Sequence, residues 1–379
     1  MKNYLSKFNF IIALLVLVSF GSCKENQTNE IASIENVEGI PVVTVRGTPY
    51  EMGFQLGTVL KSDIQECLPG FLSFAQKHDA ERYSNELLDE AWAKMLPYID
   101  IRFIEEMDGL AEGSGIDLDI LRRAHMVPVI SDYACSGVAV WGDATISGDL
   151  FHIRNLDYIK EAHLQDYPAI VIYIPNNGTP HINVTFAGYI ASHSGMNANG
   201  IVLGEKGESP NSDTPFNYDG IHFSLLFREL LYETTNLDET VDRIQKAKLI
   251  KRYYLFASDG KKESIGAAKF LVSSPDEVKI RTWKENDPTD TLIPSCLPNT
   301  IYYTIDNKNA YSHLTNNAGK YNAEKMIELS KLVANKGGNL LNVVYNPSEL
   351  EIWVAYAKGS EDAFEQDYIN IKMKEFISK

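Results

Sequence analysis

Two strand-like runs joined by a short turn constrain the fold of this chain more than any other feature. The runs cover residues 136–145 and 150–156, and the turn between them is Ile-Ser-Gly-Asp, a pattern typical of a β-hairpin. Before the hairpin, up to residue 126, the apolar side chains mostly show helical spacing, whereas strand patterns prevail after it. The sequence therefore predicts an α+β fold, with a mostly helical segment at 37–134 and the sheets in 135–379.

The first helix begins with a full set of capping signals. A strand pattern at residues 39–46 precedes Thr48, Pro49 and Glu51. Thr48 suits the N-cap, Pro49 the first helical position and Glu51 the third, which together predict a capping box. We expect this helix to run to about residue 78.

The N-terminus is interpreted as a targeting signal. Two lysines precede an apolar run at residues 10–20, which is too short to span a bilayer and typical of a signal peptide. Small residues then precede Cys23, as in a bacterial lipoprotein, so we expect residues 1–22 to be removed and Cys23 to be lipidated; an ordinary secretory signal is the alternative. Residues 23–36 would form a flexible tether, and the body would lie in the cell envelope, attached through the lipid only, or be secreted if Cys23 is not lipidated.

The charge balance and several missing motifs exclude classes of function. The chain has 35 Lys and Arg against 51 Asp and Glu, a formal net charge of −16, and it has no basic block, so a nucleic-acid partner is not expected. Phosphate-binding glycine loops, zinc-ligand spacings and metalloprotease motifs are absent from the sequence, and we expect neither a metal nor an organic cofactor. Cys67 and Cys296 are open to two interpretations, a disulfide or two buried thiols.

The hairpin carries the residues with the most chemical potential. Folding it about residue 146 returns Arg154 and Asp157 to the start of the first strand, where Cys135 lies. A cationic neighbour favours the thiolate form of a cysteine, which is the nucleophile. From the residues alone two other interpretations stay open: Cys135 as a buried structural cysteine, and Arg154 with Asp157 as a structural ion pair.

Four motifs, in order along the chain, resemble those of one family. The hairpin, with Cys135-Ser136-Gly137 followed by His152-Ile153-Arg154-Asn155-Leu156-Asp157-Tyr158, resembles the nucleophile hairpin of N-terminal-nucleophile (Ntn) hydrolases. It is most similar to the peptidase C45 group, the acyl-coenzyme A:6-aminopenicillanate acyltransferase-like proteins, and more distantly to acid ceramidase and the choloylglycine hydrolases. The other matches lie at residues 47–57, 195–200 and 343–355.

This resemblance implies a fold and a mechanism. The fold is a four-layer αββα sandwich of two packed antiparallel sheets between helices. The chain would cut itself between Ala134 and Cys135, and Cys135 would then act as the nucleophile on a small linear amide, with water or an amine as acyl acceptor. Arg154 and Asp157 would position the reacting groups. The two chains would remain associated, and no cofactor would be needed.

The oxyanion donors implied by the resemblance are asparagines. Asn197 is one, through its side chain or its backbone N–H, and Asn316 in a Thr-Asn-Asn run is the other, although the family pattern continues Thr-Asn-His; Asn307 and Asn317 are alternatives to Asn316. This departure motivates a second hypothesis, a lipid-anchored binding protein on an Ntn scaffold that no longer reacts. A papain-like cysteine peptidase with an essential histidine is a third.

Glu205 and His193 are two further polar residues whose surroundings in the sequence suggest a role. Glu205 reads as a solvated surface acid beside another glutamate. His193 lies close to the 195–200 motif, and it is open to being either a pocket residue or an ordinary core or surface histidine.

Overall fold

Two β-sheets form the centre of the protein. The computed structural model describes residues 32–131, 133–207, 218–272, 280–285, 287–293 and 295–378. The strands in these ranges are β1 (Ser33–Val37), β2 (Ile40–Gly47), β3 (Ala134–Val140), β4 (Phe151–Asp157), β5 (Pro168–Pro175), β6 (His181–Phe186), β7 (Ser194–Asn197), β8 (Ile201–Lys206), β9 (Tyr254–Asp259), β10 (Gly266–Val272), β11 (Ile280–Trp283), β12 (Thr300–Tyr303), β13 (Asn339–Asn346), β14 (Glu351–Tyr356) and β15 (Ile369–Lys372).

Within the described residues the larger sheet has nine strands and the smaller sheet has six. The larger follows the order β1-β2-β5-β6-β7-β8-β9-β10-β11, and the smaller follows β12-β3-β4-β13-β14-β15. All neighbouring strands among them are antiparallel except β2 and β5, which are parallel. The sheets pack face to face where β3 and β4 meet β8, and where β12 meets β10.

Helices cover the outer sides of both sheets. They are α1 (Pro49–Val59), α2 (Lys61–His78), α3 (Asn85–Met95), α4 (Ile101–Ser114), α5 (Leu118–Ile130), α6 (Phe223–Glu233), α7 (Leu237–Lys246), α8 (Asn307–Asn316), α9 (Ala323–Leu332) and α10 (Met373–Ile377). Helices α1, α6 and α7 pack on the larger sheet, and α8 and α9 pack on the smaller one. The predicted α+β class with two antiparallel-rich sheets is therefore confirmed.

The first helix starts as predicted but ends earlier. Thr48 and Glu51 form the capping box, and Pro49 occupies the first turn. The helix predicted to reach residue 78 is instead two helices that meet at Leu60. The break lets α1 lie against α4 at very close range: a Cβ on Gly53 would lie 1.9 Å from the Glu106 carbonyl oxygen, so this position admits only glycine.

The structure describes only the last residues of the N-terminal segment to which the targeting predictions apply. The signal peptide and Cys23 lie outside the described residues, as does most of the predicted tether. The end of that tether needs correction, because Ser33–Val37 is strand β1, paired with β2 through Ile34 opposite Val43. Pairing satisfies the backbone N–H and C=O groups that a flexible tether would leave to water.

Cysteine pairing and membrane spanning can be stated for the described residues only. There Cys67, Cys135 and Cys296 are free thiols, and Cys67 is buried, so the structure favours thiols over a Cys67–Cys296 disulfide. No helix in this part of the chain combines the length and apolar character needed to cross a bilayer.

Candidate active site

The β3–β4 hairpin brings Cys135 and Arg154 together, as its spacing predicts. In the antiparallel register Cys135 lies opposite Leu156, two residues from Arg154, so the Cys135 and Arg154 side chains leave the hairpin on the same face. Nη2 of Arg154 donates to Sγ of Cys135 at 3.4 Å. Both side chains are fully buried between the two sheets.

Glu205 on β8 completes the contacts of the thiol. Sγ of Cys135 donates to Oε2 of Glu205 at 3.6 Å, and Nη2 of Arg154 lies 3.5 Å from the same oxygen. Glu205 is fully buried, so its interpretation as a solvated surface acid was wrong. The one local signal is that Glu205 continues an apolar strand, which argues for burial; nothing in the spacing relates it to Cys135.

The thiol is held in its neutral form by burial. Burial raises the pKa of Cys135, and the positive charge of Arg154 opposes this rise. The backbone N–H of Gly207 also points to the sulfur and favours the thiolate. Burial raises the pKa of Glu205 to about 7, again against Arg154. Near neutral pH the carboxylate of Glu205 can therefore accept the thiol proton.

Asp157 lies beside the Ala134–Cys135 bond rather than beside the thiol. It is the register partner of Ala134, and its side chain leaves the hairpin on the face opposite to the Cys135 side chain. Oδ1 accepts from Nδ2 of Asn339 at 2.9 Å and from the backbone N–H of Asn335 at 3.2 Å. Burial raises the pKa of Asp157 to about 6.

Arg154 and Asp157 each have a partner other than the one that an Arg154–Asp157 ion pair would require. Arg154 has Glu205 as its carboxylate within 4 Å, and Asp157 is held by neutral amide groups. Oδ2 of Asp157 is buried and has no hydrogen-bond donor among the described residues. An unpartnered carboxylate oxygen next to a peptide bond is a ready acceptor for an amine formed there.

Asn197 is fully used by the turn in which it lies. Its Oδ1 accepts from the backbone N–H groups of Asn199 and Ile201, both at 3.1 Å. Its two Nδ2 hydrogens go to the carbonyls of Leu231 at 3.2 Å and Thr234 at 2.8 Å, at the end of α6. The structure therefore leaves the Asn197 side chain no free donor for the predicted oxyanion role.

Asn316 and its two alternatives are placed by groups other than the Cys135 thiol. Asn316 is the exposed last residue of α8. Asn307 accepts from the backbone N–H of Thr304, and Nδ2 of Asn317 donates to the His313 carbonyl. Among the described residues, no hydrogen bond joins the side chain of any of the three to the Cys135 thiol.

Free donors beside the sulfur belong instead to Arg154. Its Nε and Nη1 atoms are buried and have no acceptor among the described residues. Buried guanidinium N–H groups without acceptors are costly, and a carbonyl oxygen that becomes negative would satisfy them. The sequence analysis gave Arg154 two roles, favouring the thiolate and positioning the reacting groups, and did not foresee that two of its donors would be unpartnered.

An apolar cavity opens on the same side of the hairpin as the thiol. It holds about 470 Å³ of empty space, part of it open to solvent. Leu156, opposite Cys135, and Tyr133, two residues before it, belong to its wall, and His193 does too, in line with the pocket interpretation of that histidine. The remaining wall is Leu68, Phe71, Pro128, Tyr158, Leu164, Phe186 and Tyr189. Such a wall suits a hydrocarbon group.

Metal binding has no assembled site in this part of the protein. Across the described ranges, no group of three or more His, Cys, Asp or Glu side chains is arranged to hold a metal ion.

Sequence comparison finds distant relatives. No protein-family model matches the sequence. The chain is 28% identical over 263 residues to protein dcd1B and 25% identical over 289 residues to protein dcd1A, both of Dictyostelium discoideum. The matches cover 64% and 68% of this chain. They span 52% of dcd1B and 63% of dcd1A, less than two thirds of either relative.

The solved structures to which the chain is similar include three hydrolytic enzymes. A Caenorhabditis elegans N-acylethanolamine-hydrolyzing acid amidase ortholog is 17% identical with a TM-score of 0.46, covering 62% of this chain and 100% of its own. A conjugated bile acid hydrolase of Clostridium perfringens is 11% identical with a TM-score of 0.40, covering 64% and 93%. A penicillin V acylase of Agrobacterium tumefaciens is 11% identical with a TM-score of 0.40, covering 59% and 83%.

Proposed function

We propose that this protein is an Ntn-type amide hydrolase of the cell envelope that cuts itself before Cys135 and then uses Cys135 as its nucleophile. The observation that carries the proposal is the position of the thiol, between the guanidinium of Arg154 and the carboxylate of Glu205. Asp157, across the strand pair from Ala134, lies where the new N-terminus would form.

Self-cleavage uses the groups already in place. The thiol proton passes to Glu205, the sulfur bonds to the carbonyl carbon of Ala134, and the bond from that carbon to the Cys135 nitrogen breaks as the nitrogen takes up a proton. Water then hydrolyses the thioester. The products are a carboxylate on Ala134 and a Cys135 that carries both a thiol and an α-amine.

The matured site is suited to amide turnover. A free α-amine has a pKa of about 8, so it can take the thiol proton near neutral pH without a catalytic histidine. Oδ2 of Asp157 accepts from the resulting ammonium, and the free N–H groups of Arg154 stabilise the oxyanion. The sulfur bonds to the amide carbonyl carbon, the C–N bond breaks as the leaving amine takes the proton from the α-ammonium, and water then hydrolyses the thioester on Cys135 to the free acid and the thiol.

The apolar cavity supports a substrate with a hydrocarbon acyl group. Leu156 and Tyr133 connect the wall of the cavity to the two strands that hold Cys135. Water is the proposed acyl acceptor, because outside the cytoplasm water is abundant and coenzyme A is not. Release of free acid without an added amine supports hydrolysis, whereas an absolute need for an amine makes the protein an acyltransferase.

The two fragments would stay together after cleavage. Glu106 on α4 and Arg228 on α6 form a buried ion pair across the proposed cut, with Oε2 and Nη2 2.6 Å apart. Attachment through a lipid on Cys23 remains part of the proposal, and the signal-peptide pattern supports it. A Cys23→Ala variant that still fractionates with the membrane contradicts that part alone.

The deciding experiment compares the masses of the purified wild type, Cys135→Ala and the matched cysteine variant Cys67→Ala. We expect two fragments with Cys135 at a new N-terminus for the wild type and Cys67→Ala, and a whole chain for Cys135→Ala. Whole chains in all three between pH 4 and pH 9 refute self-cleavage.

One observation favours a second candidate, a binding protein that no longer reacts. The side-chain amide of Asn197 is fully hydrogen-bonded in its own turn, and Asn316 is exposed at the end of α8, so neither side chain serves as the expected donor at Cys135. This candidate predicts no cleavage and no acyl-enzyme, yet tight retention of an apolar amide in the cavity. A mass increase on Cys135 after mixing with acyl amides would exclude it.

A further inference from the structure

The carboxylate of Asp157 is anchored through one oxygen only. Nδ2 of Asn339 donates to Oδ1 at 2.9 Å, and the backbone N–H of Asn335 donates to the same atom at 3.2 Å. Oδ2 is buried and has no donor among the described residues, and Asp157 is the register partner of Ala134. Because the two donors hold one oxygen of the carboxylate, the other oxygen can accept a hydrogen bond from a new partner.

The orientation of the Asn339 amide is itself determined by its neighbours. The backbone N–H of Phe364 donates to Oδ1 of Asn339 at 2.9 Å, and Nδ2 of Asn342 donates to it at 2.8 Å. An amide flip that exchanged Oδ1 and Nδ2 of Asn339 would place its NH₂ group opposite two hydrogen-bond donors. The nitrogen of Asn339 must therefore face Asp157.

A second buried carboxylate holds the backbone of Asn339. Oδ1 of Asp362 accepts from the backbone N–H of Asn339 at 3.3 Å and from Nζ of Lys160 at 2.5 Å. Oδ2 of Asp362 accepts from the backbone N–H of Gly337 at 2.6 Å. The side chain of Asn339 is thus held by Asp157 and Asn342, and its backbone N–H is held by Asp362.

We propose that Asn339 is a positioning residue that presents the free oxygen of Asp157 to the α-amine of Cys135. The inference rests on the proposed function, because the α-amine exists only after cleavage. Sequence motifs gave no indication of it, since Asn339 lies outside every motif that singled out the hairpin. The role is to orient Asp157; Asn339 itself touches no reacting atom.

The first variant replaces the Asn339 amide, which donates to Asp157, by a carboxylate of nearly the same shape that cannot donate. Asn339→Asp keeps an acceptor for the Phe364 N–H but removes the donor to Asp157 and adds a charge. Asn339→Leu removes the donor without a charge, and Asn339→Ser keeps a small hydroxyl. Asn183→Asp is the matched control, because Asn183 is a fully buried asparagine on β6 whose Nδ2 donates to the Ala191 carbonyl.

The first readout is the titration of Asp157 in the full chain carrying Cys135→Ala, followed by NMR of ¹³C-labelled aspartate. The charged groups around Asp157 are Arg154 on its own strand and Asp362 with its partner Lys160. We expect the Asp157 midpoint to rise by about one pH unit or more in Asn339→Asp, less in Asn339→Leu and not in Asn183→Asp.

The second readout is the pH profile of amide turnover in chains with Cys135 intact. The acidic limb should move in the same order as the midpoint, and turnover near pH 6 should fall about tenfold for every pH unit by which the Asp157 midpoint rises. If Asn339→Asp does not fold, Asn339→Leu and Asn339→Ser carry the comparison. An Asp157 midpoint equal in wild type and the Asn339 variants overturns the inference whether or not the chain cleaves, whereas a wild type that never cleaves overturns the proposed function.

Discussion

Replacing Glu205 by glutamine should separate the stability of the site from its chemistry. At the 3.5 Å separation of Glu205 and Arg154, an effective dielectric constant of about 20 gives an attraction of about 5 kcal/mol. Burial nevertheless raises the pKa of Glu205 to about 7, so near that pH the neutral acid, which glutamine mimics, is as stable in the fold as the carboxylate; we expect Glu205→Gln to change the free energy of unfolding by no more than about 1 kcal/mol. Self-cleavage should slow by about 10²–10⁴-fold, because the thiol loses its proton acceptor.

The same substitution should make the thiol more acidic. With Glu205 neutralised, the charge of Arg154 acts on Cys135 unopposed, so thiolate absorbance at 240 nm should appear at lower pH than in the wild type; Cys135→Ala supplies the baseline. Wild-type cleavage requires deprotonated Glu205 and should therefore rise as the pH passes through about 7. This pH dependence should disappear in Glu205→Gln.

Glu106→Gln is the matched control for Glu205→Gln. Glu106 is equally buried, pairs with an arginine at 2.6 Å and has a pKa raised by burial to about 7, but it does not contact Cys135. Its free energy of unfolding should change as little, and it should cleave at the wild-type rate while folded. A folded Glu205→Gln chain that cleaves as fast as the wild type between pH 5 and pH 9 refutes the assigned role.

The remaining predictions concern stability, each measured by urea unfolding. Arg228→Met should cost about 3–5 kcal/mol by leaving Glu106 unpaired in the core, and a cost below 1 kcal/mol contradicts this. Gly109→Ala should cost about 3 kcal/mol, since its Cβ would lie 2.0 Å from a backbone oxygen of α1. A Cβ added at Gly70 in α2 would meet no atom within 4 Å, so Gly70→Ala should be neutral or stabilising by up to about 1 kcal/mol. Stability should fall below pH 6.5 by about 2.7 kcal/mol per pH unit and reach a plateau above about pH 7; a gain on acidification contradicts this. Five histidines whose pKa is lowered by burial reduce the stability as the pH falls through 6.5, and three buried acids with raised pKa reduce it as the pH rises toward 7, which offsets part of the change. The histidines are His125, His152, His181, His193 and His222, and the acids are Glu106, Asp157 and Glu205.

Features set by local geometry were predictable from the sequence. The capping box at Thr48 and Glu51 depends on atoms within one helical turn. The hairpin register depends on one short connection, so a midpoint at residue 146 was enough to place Arg154 near Cys135. The motif glycines at 53 and 57 also have a local pattern, although its reason, the close approach of α4, became visible only in the fold.

Features that join distant segments were decided by the tertiary structure. Glu205 lies 70 residues after Cys135 and reaches it because β8 of one sheet packs on β3 of the other. Asn197 has a family-like motif, yet its four hydrogen bonds tie a turn to α6. A sequence determines which side chains are present and the local shape of each turn. Which buried charge meets which thiol depends on how two sheets stack, and that is settled by the packing of the whole core.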